Sequence, residues 1–440
     1  MGDNVIGLPG QIITPLSAAA FLALIYAAKA TAKISQGTII AACFCSANAI
    51  MLITLLTFET QPTSDYSAIW DMAKSMAAST YDIKSMKAWD YRYIYNWQTG
   101  MALVESLIIR LFGESFGALQ AVNLIAINAT LILSYRLATI VGDKRSATMT
   151  LVLMSCFYPM LVSVGQLSNQ NLVAPLILWF ISLLTKRRYF AAGLLTPIIS
   201  FIRPVGIILL LTAIVLFISK TKFTKESLTS SVKATLLFLI PYFVVNYAID
   251  STVMAAGYTD TPVSSAKIPY YKFHRGVEGG YAPFVPIMES GGDLETYNQW
   301  EKQQVINAYR PKNLANTLLS NTKKMVLYLG WFDWKFEMTY NQNAANYDKG
   351  LISECVAIGW GEYIALLILT FLGYKGYVKR NGIDALGILL LGITCVYFFI
   401  EAWTSYRYES YPLMFVIAGW GALRLQSFKA PFINLKAKKS

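Results

Sequence analysis

Long apolar runs separated by short polar connections dominate the chain, and they predict helices that cross a bilayer. A span needs roughly 20 mostly apolar residues to cover about 30 Å of hydrocarbon. About eleven segments are read this way, at 12–29, 38–58, 116–140, 146–164, 169–185, 189–201, 203–219, 231–249, 353–373, 383–402 and 409–425. The run from Tyr189 to Ser219 is too long for one helix. It holds Pro197 and the pair Arg203-Pro204, so it is divided there. Two long polar stretches remain, 59–115 and 250–352. The expected fold is an all-α polytopic membrane protein, one domain over residues 1–440, with interfacial helices in the first stretch and a small folded insert in the second.

Lys and Arg in the short connections set the orientation. Lys29 and Lys33, Lys144 and Arg145, "KRR" at 186–188, Lys220, Lys222 and Lys225, Lys375, Lys379 and Arg380, and the Lys-rich tail to Ser440 all fall on one side of an eleven-span count. That side is expected to be cytoplasmic in a plasma membrane, which places both long stretches outside. The same placement accounts for most of the net charge of +12. A nucleic-acid partner, which needs basic residues gathered on a soluble face, is not implied. Composition agrees: 55% of residues are hydrophobic and 14% charged, against about 25% charged in soluble domains.

Several classes are excluded by what is missing. The five cysteines, Cys43, Cys45, Cys156, Cys355 and Cys395, lie in or beside apolar runs, with no disulfide framework or zinc spacing. A single histidine, His274, rules out a His-rich metal centre. No GxxxxGK[ST] loop and no strand–GxGxxG–helix unit signals a nucleotide site, and no nucleophile elbow accompanies His274. The first apolar run has no Lys or Arg before it, so an uncleaved first span is expected, and "MGDNVI" lacks the Ser or Thr that myristoylation prefers at position six.

Candidate chemistry gathers in the polar stretches. Asp65, in "TFETQPTSDYSAIWDMAKSM", lies about seven residues beyond the apolar core of its span. Partial burial at the lip of a span raises a carboxylate's pKa and makes it a better proton acceptor near neutrality. The other role open to it, or to Ser64, is to cap a surface helix. In "YIYNWQTGMALVESLIIRLFG", Gln98 and Glu105 share one helix face, so their polar stripe faces either a substrate or water. Arg203 and Arg407 lie outside the cytoplasmic basic set. Each suits either a lipid phosphate or a salt bridge, for example to Glu401 or Glu409. The aromatics of "YLGWFDWKFEMTY" suit either a water–lipid boundary or sugar stacking.

Taken together, these residues resemble the GT-C superfamily of membrane glycosyltransferases, and within it the bacterial relatives of protein O-mannosyltransferases. "PTSD" (Pro62 to Asp65) is similar to the acidic loop motif that follows an early span in those enzymes. Tyr95, Gln98, Gly100 and Leu111-Phe112-Gly113 match their "Y-P-x-Q-x-G…LFG" helix. Arg203, Pro204 and Gly206 match "RP-x-G", Arg407, Tyr408 and Pro412 match "RY…P", and "RGVEGGY" (275–281) is similar to a late-loop segment. Asn96 and Trp97 depart from the family's Pro and usual His, and an extra span precedes the acidic loop.

The resemblance implies an inverting transfer of a sugar from a polyprenyl-phosphate donor to an extracytoplasmic glycan, lipid or protein acceptor. In that picture Asp65 is the catalytic base. Arg203 and Arg407 hold the donor phosphate, and Tyr95, Gln98, Glu105 and Tyr408 contact substrate. An accessory role for Asp71 or Asp90, through a divalent cation or otherwise, is left open, and no other cofactor is implied. A polysaccharide polymerase or ligase, a transporter or flippase of lipid-linked saccharides, and a non-catalytic assembly subunit are the competing readings.

Overall fold

The computed structural model describes residues 8–30, 34–62, 65–87, 90–165, 168–221, 224–278, 293–330, 349–402 and 404–427. Among these residues the fold is helical throughout, with no β-strand. Helices α1 (Leu8–Ala30) and α2 (Gln36–Thr57) precede the first polar stretch. That stretch folds as α3 (Asp65–Ala77), the single turn α4 (Tyr91–Ile94) and α5 (Thr99–Phe112). A series of apolar helices follows: α6 (Phe116–Val141), α7 (Lys144–Met154), α8 (Tyr158–Val162), α9 (Asn169–Thr185), α10 (Tyr189–Ile202), α11 (Gly206–Ser219) and α12 (Lys225–Ala255). The second polar stretch holds α13 (Tyr271–Glu278), α14 (Leu294–Ala308) and α15 (Pro311–Gly330). After it come α16 (Lys349–Asn381), α17 (Ala385–Phe399) and α18 (Tyr411–Ser427).

Local chemistry sets the boundaries. Ser35, Ser115, Asp143, Ser168, Thr224 and Asp384 each cap a helix by accepting a backbone N–H of its first turn. At Arg203 the residue before Pro204 is extended (φ −146°, ψ 129°), which ends α10 where the sequence indicates a break. The apolar run 146–164 is not one rod: α7 and α8 are bent by 59°.

Each apolar segment of the sequence coincides with a helix or with this bent pair. By length and composition, however, α2, α6, α12 and α16 are the helices among the described residues that can cross a bilayer, and a fifth crossing results if the bent pair counts as one. Helices α10 and α11 have 14 residues each, about 21 Å at 1.5 Å per residue. Eleven full crossings are therefore not established. Large apolar side chains on the outer faces, such as Leu56, Tyr247 and Phe371, are exposed, as lipid-facing helices require.

The core has two main parts. Helix α16 packs along α18 and α1, while α10 packs on α12 and α9, with α6 and α7 joining the two groups. Some polar side chains inside the bundle satisfy one another: Asn171 donates to Asn123 Oδ1 (3.0 Å), and Asn123 donates to the carbonyls of Ser163 (2.7 Å) and Val164 (3.0 Å).

Candidate active site

Helix α3 opens on Asp65, and its apolar face fixes where that carboxylate stands. Ile69, Met72, Ala73 and Met76 pack against Met101, Ala102, Ile108 and Ile109 of α5. Helix α5 in turn presses on α10 at Gly100, where a Cβ would lie 1.7 Å from the carbonyl oxygen of Phe201. Ahead of α5, Asp90 caps α4 by accepting the Arg92 N–H (2.9 Å). The hydroxyl of Tyr91, the next residue, hydrogen-bonds Asp65 and also meets Gln98. Asp65 remains exposed at the mouth of this recess. Its protein surroundings strip away enough hydration to raise its pKa above the ordinary 3.8, against the pull of Lys272 and the Tyr91 hydrogen bond.

Two cations approach from the second polar stretch, both on α13. Lys272 Nζ donates to Glu401 Oε2 and to the Tyr406 hydroxyl (3.3 Å). Arg275 Nη1 donates to Glu401 Oε1 (2.9 Å) and to the Tyr271 hydroxyl (2.6 Å). Burial pulls the Lys272 pKa down, but Tyr406 and Glu401 outweigh it, so the ammonium is held above its ordinary range. Three features seat α13 on the C-terminal end of α17. The Glu401 N–H donates to the Lys272 carbonyl (2.8 Å). Gly276 lies so close to residues 399–400 that a Cβ would sit 2.6 Å from the Phe399 oxygen. Lys324 Nζ donates to the carbonyls of Gly276 (3.0 Å), Phe398 (2.9 Å) and Ile400 (2.6 Å).

Of the residues singled out in the sequence, Asp65, Tyr95 and Gln98 come together here. Tyr95 packs on Tyr91 (centroids 4.5 Å apart) and Tyr271 (5.9 Å). The Gln98 carbonyl oxygen is buried without a hydrogen-bond partner among the described residues. Arg203 is nearby but committed. Its Nε and Nη2 form a bidentate pair with Glu409 (2.6 and 3.2 Å), Nη1 donates to Asn169 Oδ1 (3.1 Å), and the residue is 7% exposed. Tyr397 donates to the same carboxylate. Arg407 is 2% exposed with its guanidinium over the Tyr363 ring, and Tyr408 donates to the Pro159 carbonyl (2.6 Å). The salt bridge that the sequence left open for Arg203 is formed with Glu409, and neither arginine is presented to solvent.

Three acids lie elsewhere. Glu105 points into the protein, 3% exposed, and burial pushes its carboxyl up to about 8. The exposed face of α5 carries Leu107, Leu111 and Phe112, so its polar stripe turns inward rather than toward water. Asp71 is exposed and pairs with Lys74 (2.9 Å), and both oxygens of Asp90 pair with Arg92 (2.9 and 2.7 Å). No group of three or more His, Cys, Asp or Glu that could hold a metal ion occurs among the described residues.

Asn96, which replaces the proline of the resembled motif, has a clear task. Its Nδ2 donates to the carbonyls of Pro262 (3.1 Å) and Ser265 (2.8 Å), tying the first outer stretch to the second. Residues 63–64 of "PTSD", 279–281 of "RGVEGGY" and 331–340 of the aromatic stretch lie outside the described residues. Sequence reasoning missed Tyr91 and Lys272, and it gave Arg275 and Glu401 other settings, a late-loop segment and a candidate partner for Arg203 or Arg407. The available signal was "YKFHRG", two cations three residues apart on one short outer helix.

Comparison with family models and with curated proteins finds no match. Among solved structures, the chain is similar to the Archaeoglobus fulgidus oligosaccharyltransferase in its apo form, with 11% identity and a TM-score of 0.46 over 89% of this chain and 51% of that one. The same enzyme tethered to an acceptor peptide matches at 12% identity and a TM-score of 0.46, over 89% of this chain and 50% of that one. The chain thus spans about half the length of that protein. ArnT from Cupriavidus metallidurans bound to undecaprenyl phosphate matches at 13% identity and a TM-score of 0.35, over 88% of this chain and 77% of that one.

Proposed function

We propose that the protein transfers a glycosyl group from a polyprenyl-phosphate donor to an acceptor hydroxyl on the outer side of the membrane. The observation that carries the proposal is the approach of Lys272 and Arg275 to a solvent-open Asp65 whose pKa is raised by its surroundings. A base with a raised pKa beside fixed positive charge suits removal of a proton while a phosphate departs. The sequence motifs around Asp65 and Tyr95 support the same reading.

Asp65 takes the proton of the acceptor hydroxyl as that oxygen attacks the anomeric carbon. The bond from that carbon to the phosphate oxygen breaks on the opposite face, and the configuration inverts. The phosphate leaves as an anion without needing a proton. Lys272, whose side chain is 35% exposed, is the cation placed to receive it, since two of its three N–H donors are used by Glu401 and Tyr406. Arg275, at 12%, reinforces the charge from deeper in. Arg203 and Glu409 hold the shape of the pocket from below, and Tyr91 orients the Asp65 carboxylate.

The test is Asp65→Asn in purified protein supplied with a radiolabelled polyprenyl-phosphate sugar and envelope glycans as acceptors. A positioned base supplies about 10²–10⁴-fold, and a loss of that size is expected. Transfer at the unaltered rate would refute the assignment.

A further inference from the structure

A cavity opens on the first outer stretch, with Asp90, the residue before Tyr91, in its wall. It has a volume of about 290 Å³ and is lined by Ser75, Thr80, Tyr81, Ser85, Asp90 and Arg92, among others. That volume lies at the small end for ligand sites, enough for one sugar-sized unit.

Its chemistry is specific. Arg92 spends Nε and Nη2 on Asp90 (2.9 and 2.7 Å), which leaves Nη1 for a ligand. Lys87 and Asp82 add one charge of each sign, so the lining is close to neutral overall. Asp82 uses one oxygen, Oδ1, to accept the Lys84 N–H (3.0 Å). The hydroxyls of Ser75 and Ser85 donate to their own backbone, at Asp71 (3.0 Å) and Asp82 (2.9 Å), and keep lone pairs to accept with. Tyr81 supplies an aromatic wall. One paired couple, Asp90–Arg92, a lone charge of each sign, hydroxyls and one ring leave the lining near neutral, which fits a neutral, hydroxyl-rich ligand better than a phosphate.

The placement ties the cavity to the candidate active site. Asp90 in its wall directly precedes Tyr91, which contacts Asp65. Ser75, in another wall, lies ten residues along α3 from Asp65, about 15 Å at 1.5 Å per residue. We infer that this cavity is a distal acceptor subsite, holding one sugar unit of a glycan chain whose end reaches Asp65. The acceptor role rests on the glycosyl transfer proposed above; the binding of a neutral sugar does not.

Saturation-transfer NMR on the full chain in nanodiscs tests it, with the methyl glycosides of mannose, glucose and N-acetylglucosamine as probes and no donor present. Transfer to at least one probe is expected, falling about tenfold when the exposed positions are filled as Ser85→Trp or, independently, Lys87→Trp. No transfer in the unaltered chain, or equal transfer in both tryptophan variants, overturns the site. Because the readout needs no turnover, failure of the Asp65→Asn experiment would remove the acceptor role and leave the sugar site standing.

Discussion

Replacing Arg203 separates two roles that its sequence position leaves open. If Arg203 holds the bundle together, Arg203→Met strands the Glu409 carboxylate, which is 1% exposed and loses two charged hydrogen bonds. Removing one partner of a buried pair costs about 3–5 kcal/mol. Asn169 also loses its donor to Oδ1, and Tyr397 is left as the remaining donor to Glu409 among the contacts described. The double change Arg203→Met, Glu409→Met removes the stranded charge together with its cause. The Tyr397 hydroxyl then lacks its acceptor, which costs about 1–3 kcal/mol. The double variant is therefore expected to be no less stable than Arg203→Met alone, with a coupling energy of roughly 2 kcal/mol or more. Equilibrium unfolding in bicelles, followed by tryptophan fluorescence, measures each corner of the cycle. Binding of polyprenyl phosphate is measured in parallel. Unchanged stability with weakened polyprenyl-phosphate binding in Arg203→Met would refute the structural assignment and return the phosphate to Arg203.

Two further outcomes follow from the site. In the mechanism proposed above the base is ionised Asp65, so kcat/KM is expected to rise with pH through a pKa above the ordinary 3.8. Lys272 favours the ionised form, and Lys272→Met therefore moves this rising limb to higher pH as well as lowering its plateau. A limb that stays in place or moves to lower pH contradicts the proximity of the two groups. Gly276→Ala puts a methyl 2.6 Å from the Phe399 oxygen, where backbone on both sides has little room to yield. Helix α13 must shift, and a displacement near 1 Å at the cations costs about 10²-fold in rate. Circular dichroism is expected to stay unchanged, and full activity in this variant would show that the seat of α13 is immaterial.

Hydropathy made most of the bundle readable because lipid selects residue type directly. Every apolar segment coincides with helix, and the break at Arg203-Pro204 follows from proline sterics alone. Span count was less readable. Helices such as α10 and α11 are as apolar as a crossing but too short for one, and protein packing sets their tilt and depth. The bend between α7 and α8 had a local cue in Pro159, which sits in the first turn of α8. In the candidate site, acids at the lip of a span stood out against their surroundings, and the "PTSD" resemblance singled out Asp65 among them. The partner of Arg203 was not, since Glu409 and Glu401 are equally near in sequence and only folding assigns one to Arg203 and the other to α13. Lys272 and Arg275 were hidden for a related reason: a cation on an outer loop looks like any solvated charge until the tertiary fold supplies its neighbours.

The shared carboxylate of Glu401 has a consequence for biogenesis. The candidate site draws its carboxylate from residue 65, its cations from residues 272 and 275, and the anchor of those cations from residue 401. A ribosome makes these parts in that order, and domains generally fold from the N-terminus during synthesis. Until residue 401 has emerged and α17 has been inserted, α13 lacks its seat on α17 and its two cations lack the Glu401 carboxylate. A nascent chain therefore holds Asp65 long before the cations of α13 have their anchor, and the candidate site is assembled late, with the arrival of the last helices.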